Sequence, residues 1–263
     1  MVHLIGGQIM QVVLFHIIVE WIKLMYPKHP GSNPVIVTAP TGVAARNVNG
    51  YTLHSVFKLP IQRGYEPTFH DLSPLILKRL SIFFRNIHTI VIDEISMVSS
   101  KTFNFIHQRL CTIADNNVPL GGYNIILFGD FFQLRPVRGR YVFTDNFLWP
   151  LFTPYILNLN KRQSGQDKFL GLLNRLRVGD FTTEDIKLLN TRLLSKHPSV
   201  DSTSIIHIFP TVKLVNTYND HIQNRLSTQY HTHAALHTFS SFDSTPGATV
   251  PPDYIPLDDR NAG

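Results

Sequence analysis

Residues 87–99 read IHTIVIDEISMVS. Ile90–Ile92 is a short β-branched apolar run, which predicts a strand buried inside a parallel sheet. Asp93 and Glu94 stand where that strand ends. Beyond them Ser99 or Ser100 can cap a helix in which Phe103, Ile106, Leu110 and Ile113 recur at helical spacing. In an open α/β sheet, ligands bind at the carboxyl ends of the strands. One carboxylate there can hold Mg²⁺, usually through water, and its neighbour can orient an attacking water. A turn-opening Asp beside a solvated Glu explains the same two residues about as well.

A second stretch breaks the tie. Residues 125–137 read IILFGDFFQLRPV, another apolar strand ending in Gly129 and Asp130, followed by Gln133, Arg135 and Pro136. Two consecutive acid-tipped strands with a helix between them describe one β-α-β unit whose polar tips converge. IVIDEISMV followed by GDFFQLRPV resembles motifs II and III of the Pif-type, RecD-like, superfamily-one DNA helicases. The resemblance implies an α/β fold: a RecA-like P-loop NTPase domain with a central parallel sheet, followed by the start of a second RecA-like domain. It implies ATP and Mg²⁺ as cofactors, with Asp93 helping to hold the metal and Glu94 activating the hydrolytic water. It also implies that Gln133 senses the γ-phosphate and that Asp130 supports this nucleotide loop.

Composition bounds the reading without deciding it. The 263 residues suit one large or two modest domains. Hydrophobic content of 43% against 16% charged excludes a disordered chain. A net charge of +6 permits a polyanionic partner but does not demand one. The single Cys111 excludes a disulfide framework and a Cys-cluster zinc site, and fits a reducing compartment. The resemblance narrows that compartment to the nucleus or mitochondrion.

Val2–Gly7 predicts a strand running into two glycines, the opening of a phosphate-binding loop. Gly6 and Gly7 thus join Asp130 as the cofactor-binding candidates, because glycines let backbone N–H groups wrap a phosphate. The continuation departs from the family. QIMQVV stands at Gln8–Val13 where A-G-x-G-K-S/T is expected, and the next lysine is Lys23. Gln8–Val13 has the length of the missing loop but neither its lysine nor its hydroxyl. Residues 9–25 are strongly apolar, yet Gln11, His16, Glu20 and Lys23 interrupt them. A helix packed under the sheet fits better than a membrane span of ~20 residues.

Residues 35–57 read VIVTAPTGVAARNVNGYTLHSVF. Val35–Thr38 predicts a strand, Pro40 and Gly42 shape a turn, and Thr41 with the N–H groups at the following helix start can receive a phosphate. The string resembles motif Ia, whose loop grips the single-strand backbone. By that resemblance Thr41, Gly42, His54 and Phe57 are the DNA-contact candidates, although Phe57 serves equally well as core. Single-stranded or forked DNA is the implied partner, and no membrane or disulfide-linked partner is expected.

ILNLNKRQSGQDKFLGLLNRLRVGD (residues 156–180) places Phe169, Leu172, Leu173 and Leu176 on one helix face. It resembles motif IV, which makes Arg162 a candidate arginine finger: a planar guanidinium offers several donors to a charge-spread transition state. Residues 182–194 predict a further helix with Glu184 and Asp185 in its first turn. IIHIFPTVKLVNTYND (residues 205–220) predicts a strand, a Pro-Thr cap and a helix, and resembles the opening of the second RecA-like domain.

The expected partition is a first RecA-like domain over 1–160, motif IV and linking helices over 161–200, and a truncated second domain over 201–263 with a polar loop from about 227. The reading is of a fragmentary or decayed helicase of the kind carried by Helitron transposons. A frame slip after Gly7 in the gene would give the same pattern. Two functions compete: an ATP-dependent, 5′-to-3′ DNA helicase of repair, recombination and telomere maintenance, and a nucleotide-independent single-stranded DNA-binding remnant.

Overall fold

A computed structural model describes residues 3–6, 10–26, 33–60, 68–157, 167–193 and 205–225. The chain divides into two compact units, Met1–Asp180 and Phe181–Gly263. The division falls inside the stretch read as linking helices, so the motif IV helix counts with the first unit.

The first unit is built on six parallel strands: β1 (His3–Gly6), β2 (Val35–Ala39), β3 (Tyr51–Thr52), β4 (Thr89–Ile92), β5 (Asn124–Phe128) and β6 (Thr153–Ile156). Their order across the sheet is β3-β2-β4-β5-β1-β6. The helices of this unit are α1 (Met10–Met25), α2 (Gly42–Asn47), α3 (Leu53–Phe57), α4 (Pro74–Phe84), α5 (Ser100–Ala114) and α6 (Asp167–Val178).

Side chains alternate across a strand, and the unbroken apolar runs of β4 and β5 therefore feed two cores at once. Ile90, Ile92, Ile125 and Leu127 enter the larger one, with Leu53 and Phe57 of α3, Leu80 and Phe84 of α4, and Phe103, Ile106 and Leu110 of α5. Val91, Ile126 and Phe128 face the other way and meet Phe15, Val19 and Ile22 of α1. Each such side chain taken wholly out of water contributes about 2 kcal/mol of transfer free energy. The α5 stripe predicted by periodicity is the observed one, and Ser99 is the residue that caps it: its Oγ accepts from Thr102 N at 3.1 Å.

Helix α1 packs under the sheet as expected, but only along one face. Ile17, Trp21, Leu24 and Met25 remain exposed. Among the described residues no helix is long and apolar enough to cross a membrane. Edge strand β6 exposes all four of its residues.

The second unit contributes α7 (Thr183–Asn190) and α8 (Val212–Gln223). Thr182 and Asp185 close a capping box on α7, each side chain meeting the other's backbone N–H. Thr211 caps α8 through Leu214 N. The strand expected before it does not form: residues 205–209 pair with no other strand among the described residues, and Ile206 and Ile208 are each 94% exposed. An apolar alternation needs a sheet to join before it becomes a strand.

Candidate nucleotide and nucleic-acid sites

Register brings the acid tips together. In the parallel ladder Ile92 pairs with Leu127, and Leu127 with Leu4. Asp93, Gly129 and Gly6 therefore leave three neighbouring strands at the same end of the sheet. Asp93 N donates to Thr38 O at 2.8 Å, which fixes the β4 tip against β2. Glu94 follows in the left-handed region at φ 52°. A non-glycine residue held there is strained by about 1 kcal/mol or more and persists only where its surroundings over-determine it.

One of those surroundings is Gly129. A Cβ at this position would stand 2.8 Å from Ile95 Cγ2 and 3.0 Å from Ile95 N. Only glycine lets the β5 tip lie flush against the turn that carries Glu94. The consequence is electrostatic. Burial, then Asp93, then Asp130 push the Glu94 carboxyl above its ordinary value of 4.5. Glu94 thus stands in the field of two neighbouring carboxylates.

Asp130 is 4% exposed and would be costly as an isolated buried charge. Its Oδ1 accepts from Phe132 N at 3.1 Å and its Oδ2 from Gln133 Nε2 at 3.2 Å. Arg177, on α6, ion-pairs with Oδ1 and lays its guanidinium over the Phe132 ring at 4.9 Å. Gln133, the expected sensor, is therefore oriented by Asp130, and Asp130 by Arg177. Arg177 stands in the motif IV string of residues 156–180, where nothing local gives it a role. Its partner lies 47 positions away, a separation no local pattern encodes.

The motif Ia candidates occupy a second region. Thr41 caps α2, its Oγ1 accepting from Ala44 N at 3.2 Å, and Gly42 is the first helical residue. Thr41 and His54 line one cavity of about 210 Å³, together with Ser99, Thr102 and the Pro136–Arg138 loop that follows Gln133. The β2, β4 and β5 loops thus meet at this cavity. Phe57 does not belong to it. At 0% exposure it packs in the main core with its ring 5.9 Å from Phe84, so it supports α3 and presents nothing to a ligand. This corrects its placement among the DNA contacts.

On the nucleotide side, Gly6 ends β1 as read, whereas Gly7 and Arg162 lie outside the described residues. The tract treated as loop-length is not all loop: Met10–Val13 is already helix. No Lys, Ser or Thr occurs between Gly6 and Ile22. Among the described residues no three His, Cys, Asp or Glu side chains are grouped to hold a metal ion. A single half-buried Asp93 carboxylate does not make a Mg²⁺ site by itself. It fits the ion only as one ligand beside nucleotide phosphates.

Known proteins resemble this chain in sequence and fold. The family described as PIF1-like helicase matches residues 11–186. The ATP-dependent DNA helicase PIF1 of Emericella nidulans is 30% identical over 242 residues, covering 88% of this chain and 31% of that protein. The human ATP-dependent DNA helicase PIF1 is 34% identical over 156 residues, 57% of this chain and 24% of its own. The crystal structure of Pif1 helicase from Candida albicans superposes with a TM-score of 0.67 at 25% identity, over 87% of this chain and 51% of that one. Pif1 from Bacteroides in complex with ADP-AlF3 and ssDNA gives 0.63 at 26% identity, over 87% and 54%. This chain thus spans under a third of those two relatives and about half of the solved chains. With two thirds of its residues inside the family match, both acid-tipped strands among them, the chain belongs to the PIF1-like helicase family.

Proposed function

We propose that this chain carries the first motor domain of an ATP-dependent DNA helicase, with its DNA-gripping half intact and its nucleotide-gripping half impaired. The observation that carries the proposal is the meeting of Asp93, Glu94 and Asp130 on adjoining strand tips, one strand from Gly6. In a working motor of this family Asp93 would face Mg²⁺ brought in with the nucleotide, an ion that neutralises charge developing on the phosphates. Glu94 would orient the attacking water, Gln133 would face the γ-phosphate, and Arg162 would meet the transition state as a finger. Thr41, Gly42 and His54 would hold single-stranded DNA at the cavity beside the Gln133 loop. Unwinding 5′ to 3′, on forks, in repair, recombination and telomere maintenance, in the nucleus or mitochondrion, is the role the proposal extends to a complete motor of this family.

The impairment has its own observation. A phosphate-gripping lysine and a Mg²⁺-binding hydroxyl supply the positioning on which phosphoryl transfer depends, and Gln8–Val13 offers neither. That favours a second reading, a single-stranded DNA-binding remnant that works without nucleotide. The discriminating experiment pairs two titrations with fluorescent oligo-dT, with and without Mg·ATP. Binding that weakens steeply with salt supports the DNA half. A flat salt response argues against backbone contacts, and DNA-stimulated ATP turnover argues against the impairment.

A further inference from the structure

Arg109 is the largest fully buried side chain among the described residues, at 1% exposure. A buried guanidinium is expensive unless its donors are placed. Two of them are. Nε donates to Phe57 O at 3.0 Å, and Nη2 to His70 O at 2.8 Å. Nη1 is buried and makes no hydrogen bond. Burial pulls the guanidinium below its ordinary pKa, and Asp71 acts in the opposite direction. The guanidinium Cζ lies over the Phe69 ring, 4.5 Å from its centre.

Those partners give the placement a purpose. Phe57 is the last residue of α3, a five-residue helix too short to persist alone, and its carbonyl is one of the acceptors a helix end leaves without an internal partner. A cation at that end also complements the helix dipole. His70 lies in the segment that leads into α4, so one guanidinium holds both the end of α3 and the run-in to α4. Phe69, stacked on Arg109, faces Phe105 at 5.7 Å between ring centres. Phe105 lines the same cavity as His54 and Thr41. Arg109 therefore touches, directly or through one ring, both α3 that carries His54 and the Phe105 wall opposite.

We infer that Arg109 is a positioning residue for single-stranded DNA binding: it fixes α3 against α5 so that His54 stands over the cavity shared with Thr41 and the Pro136–Arg138 loop. It touches no solvent and so contacts no phosphate itself. The inference rests on the proposed DNA-binding reading of that cavity. A lysine cannot reproduce the grip, since it lacks the planar fork that reaches two carbonyls while stacking on a ring.

The test uses the whole chain and a fluorescein-labelled oligo-dT. Arg109→Lys, which keeps charge and most of the volume, is expected to raise the dissociation constant about tenfold, the size of one lost base contact. The slope of log affinity against log salt is expected to stay as in the unsubstituted chain. Amide hydrogen exchange over Leu53–Phe57 is expected to quicken. Phe69→Leu, which removes only the stack, is the second variant, with an expected loss of about threefold, a fraction of that one contact. An unchanged dissociation constant in both variants overturns the inference while leaving the DNA-binding reading in place. A salt slope smaller by about one overturns it too, because that marks Arg109 as a direct phosphate contact. Absence of binding by the unsubstituted chain overturns the underlying reading and the inference with it.

Discussion

Two strand-to-helix junctions at the same end of the sheet have fared differently. At β2→α2 the chemistry is whole: Thr41 caps the helix and shares a cavity with His54 and the loop after Gln133. At β1→α1 the strand and helix are in place, but the tract between them and into the helix holds no lysine and no hydroxyl. Helix α1 is held against the sheet by the apolar side chains Phe15, Val19 and Ile22, packing that needs neither a lysine nor a hydroxyl before it. On the proposed reading, phosphate chemistry is lost at one junction while the other, secured by a cap and by core packing, persists.

The sharpest way to break this contrast is to repair the weaker junction. Replacing Gln8–Val13 with a G-x-G-K-S sequence is expected to raise nucleotide affinity about a hundredfold, the sum of two charge-assisted contacts, measured with a fluorescent ATP analogue. No gain would mean that the acid tips no longer form a nucleotide site.

The next effect concerns how the site is held. Arg177→Met leaves Asp130 buried beside Asp93 and Glu94 without its ion-pair partner. The expected destabilisation is about 2 kcal/mol in urea unfolding, below the range for wholly buried pairs because Arg177 is partly exposed. Asp130→Asn combined with it should recover part of the loss; additive losses would show that the pair is not coupled.

Thr41→Ala probes the intact junction. Loss of the cap is expected to cost about 1 kcal/mol of stability and to weaken oligo-dT binding, whereas Thr41→Ser should keep both. A Thr41→Ala variant with undiminished DNA affinity would remove Thr41 from the contact set.

The smallest expected effect is a pH dependence. Glu94 binds its proton more tightly folded than unfolded, so its contribution to stability is present below the ordinary value of 4.5 and is lost as pH rises through the higher folded value. Glu94→Gln is therefore expected to raise the melting temperature at pH 7 and to make no difference at pH 3. A variant less stable at neutral pH would contradict the crowded-carboxylate account.

What the sequence revealed and what it hid follow from range. Ile90–Ile92 and Ile125–Phe128 were legible because a doubly buried parallel strand needs no alternation, and the acid after each marks its end. Ser99, Thr182 and Thr211 mark helix starts by local hydrogen bonds, which is why the boundaries they set were readable. Arg109 lay in plain view on the stripe of Ile106 and Ile113, yet a charged residue there reads as solvated until its carbonyl partners, 39 and 52 positions away, are known. The sequence leaves Phe57 open between core and DNA contact, and it is core, while the apolar segment at 205–209, read as a strand, joins no sheet among the described residues. Both depend on tertiary neighbours that no window of sequence contains.

The most direct measurement is phosphate release from ATP by the whole chain, with and without saturating single-stranded DNA, beside Glu94→Gln. The account predicts no DNA-stimulated turnover in either protein. Turnover that appears with DNA and vanishes in Glu94→Gln would contradict it.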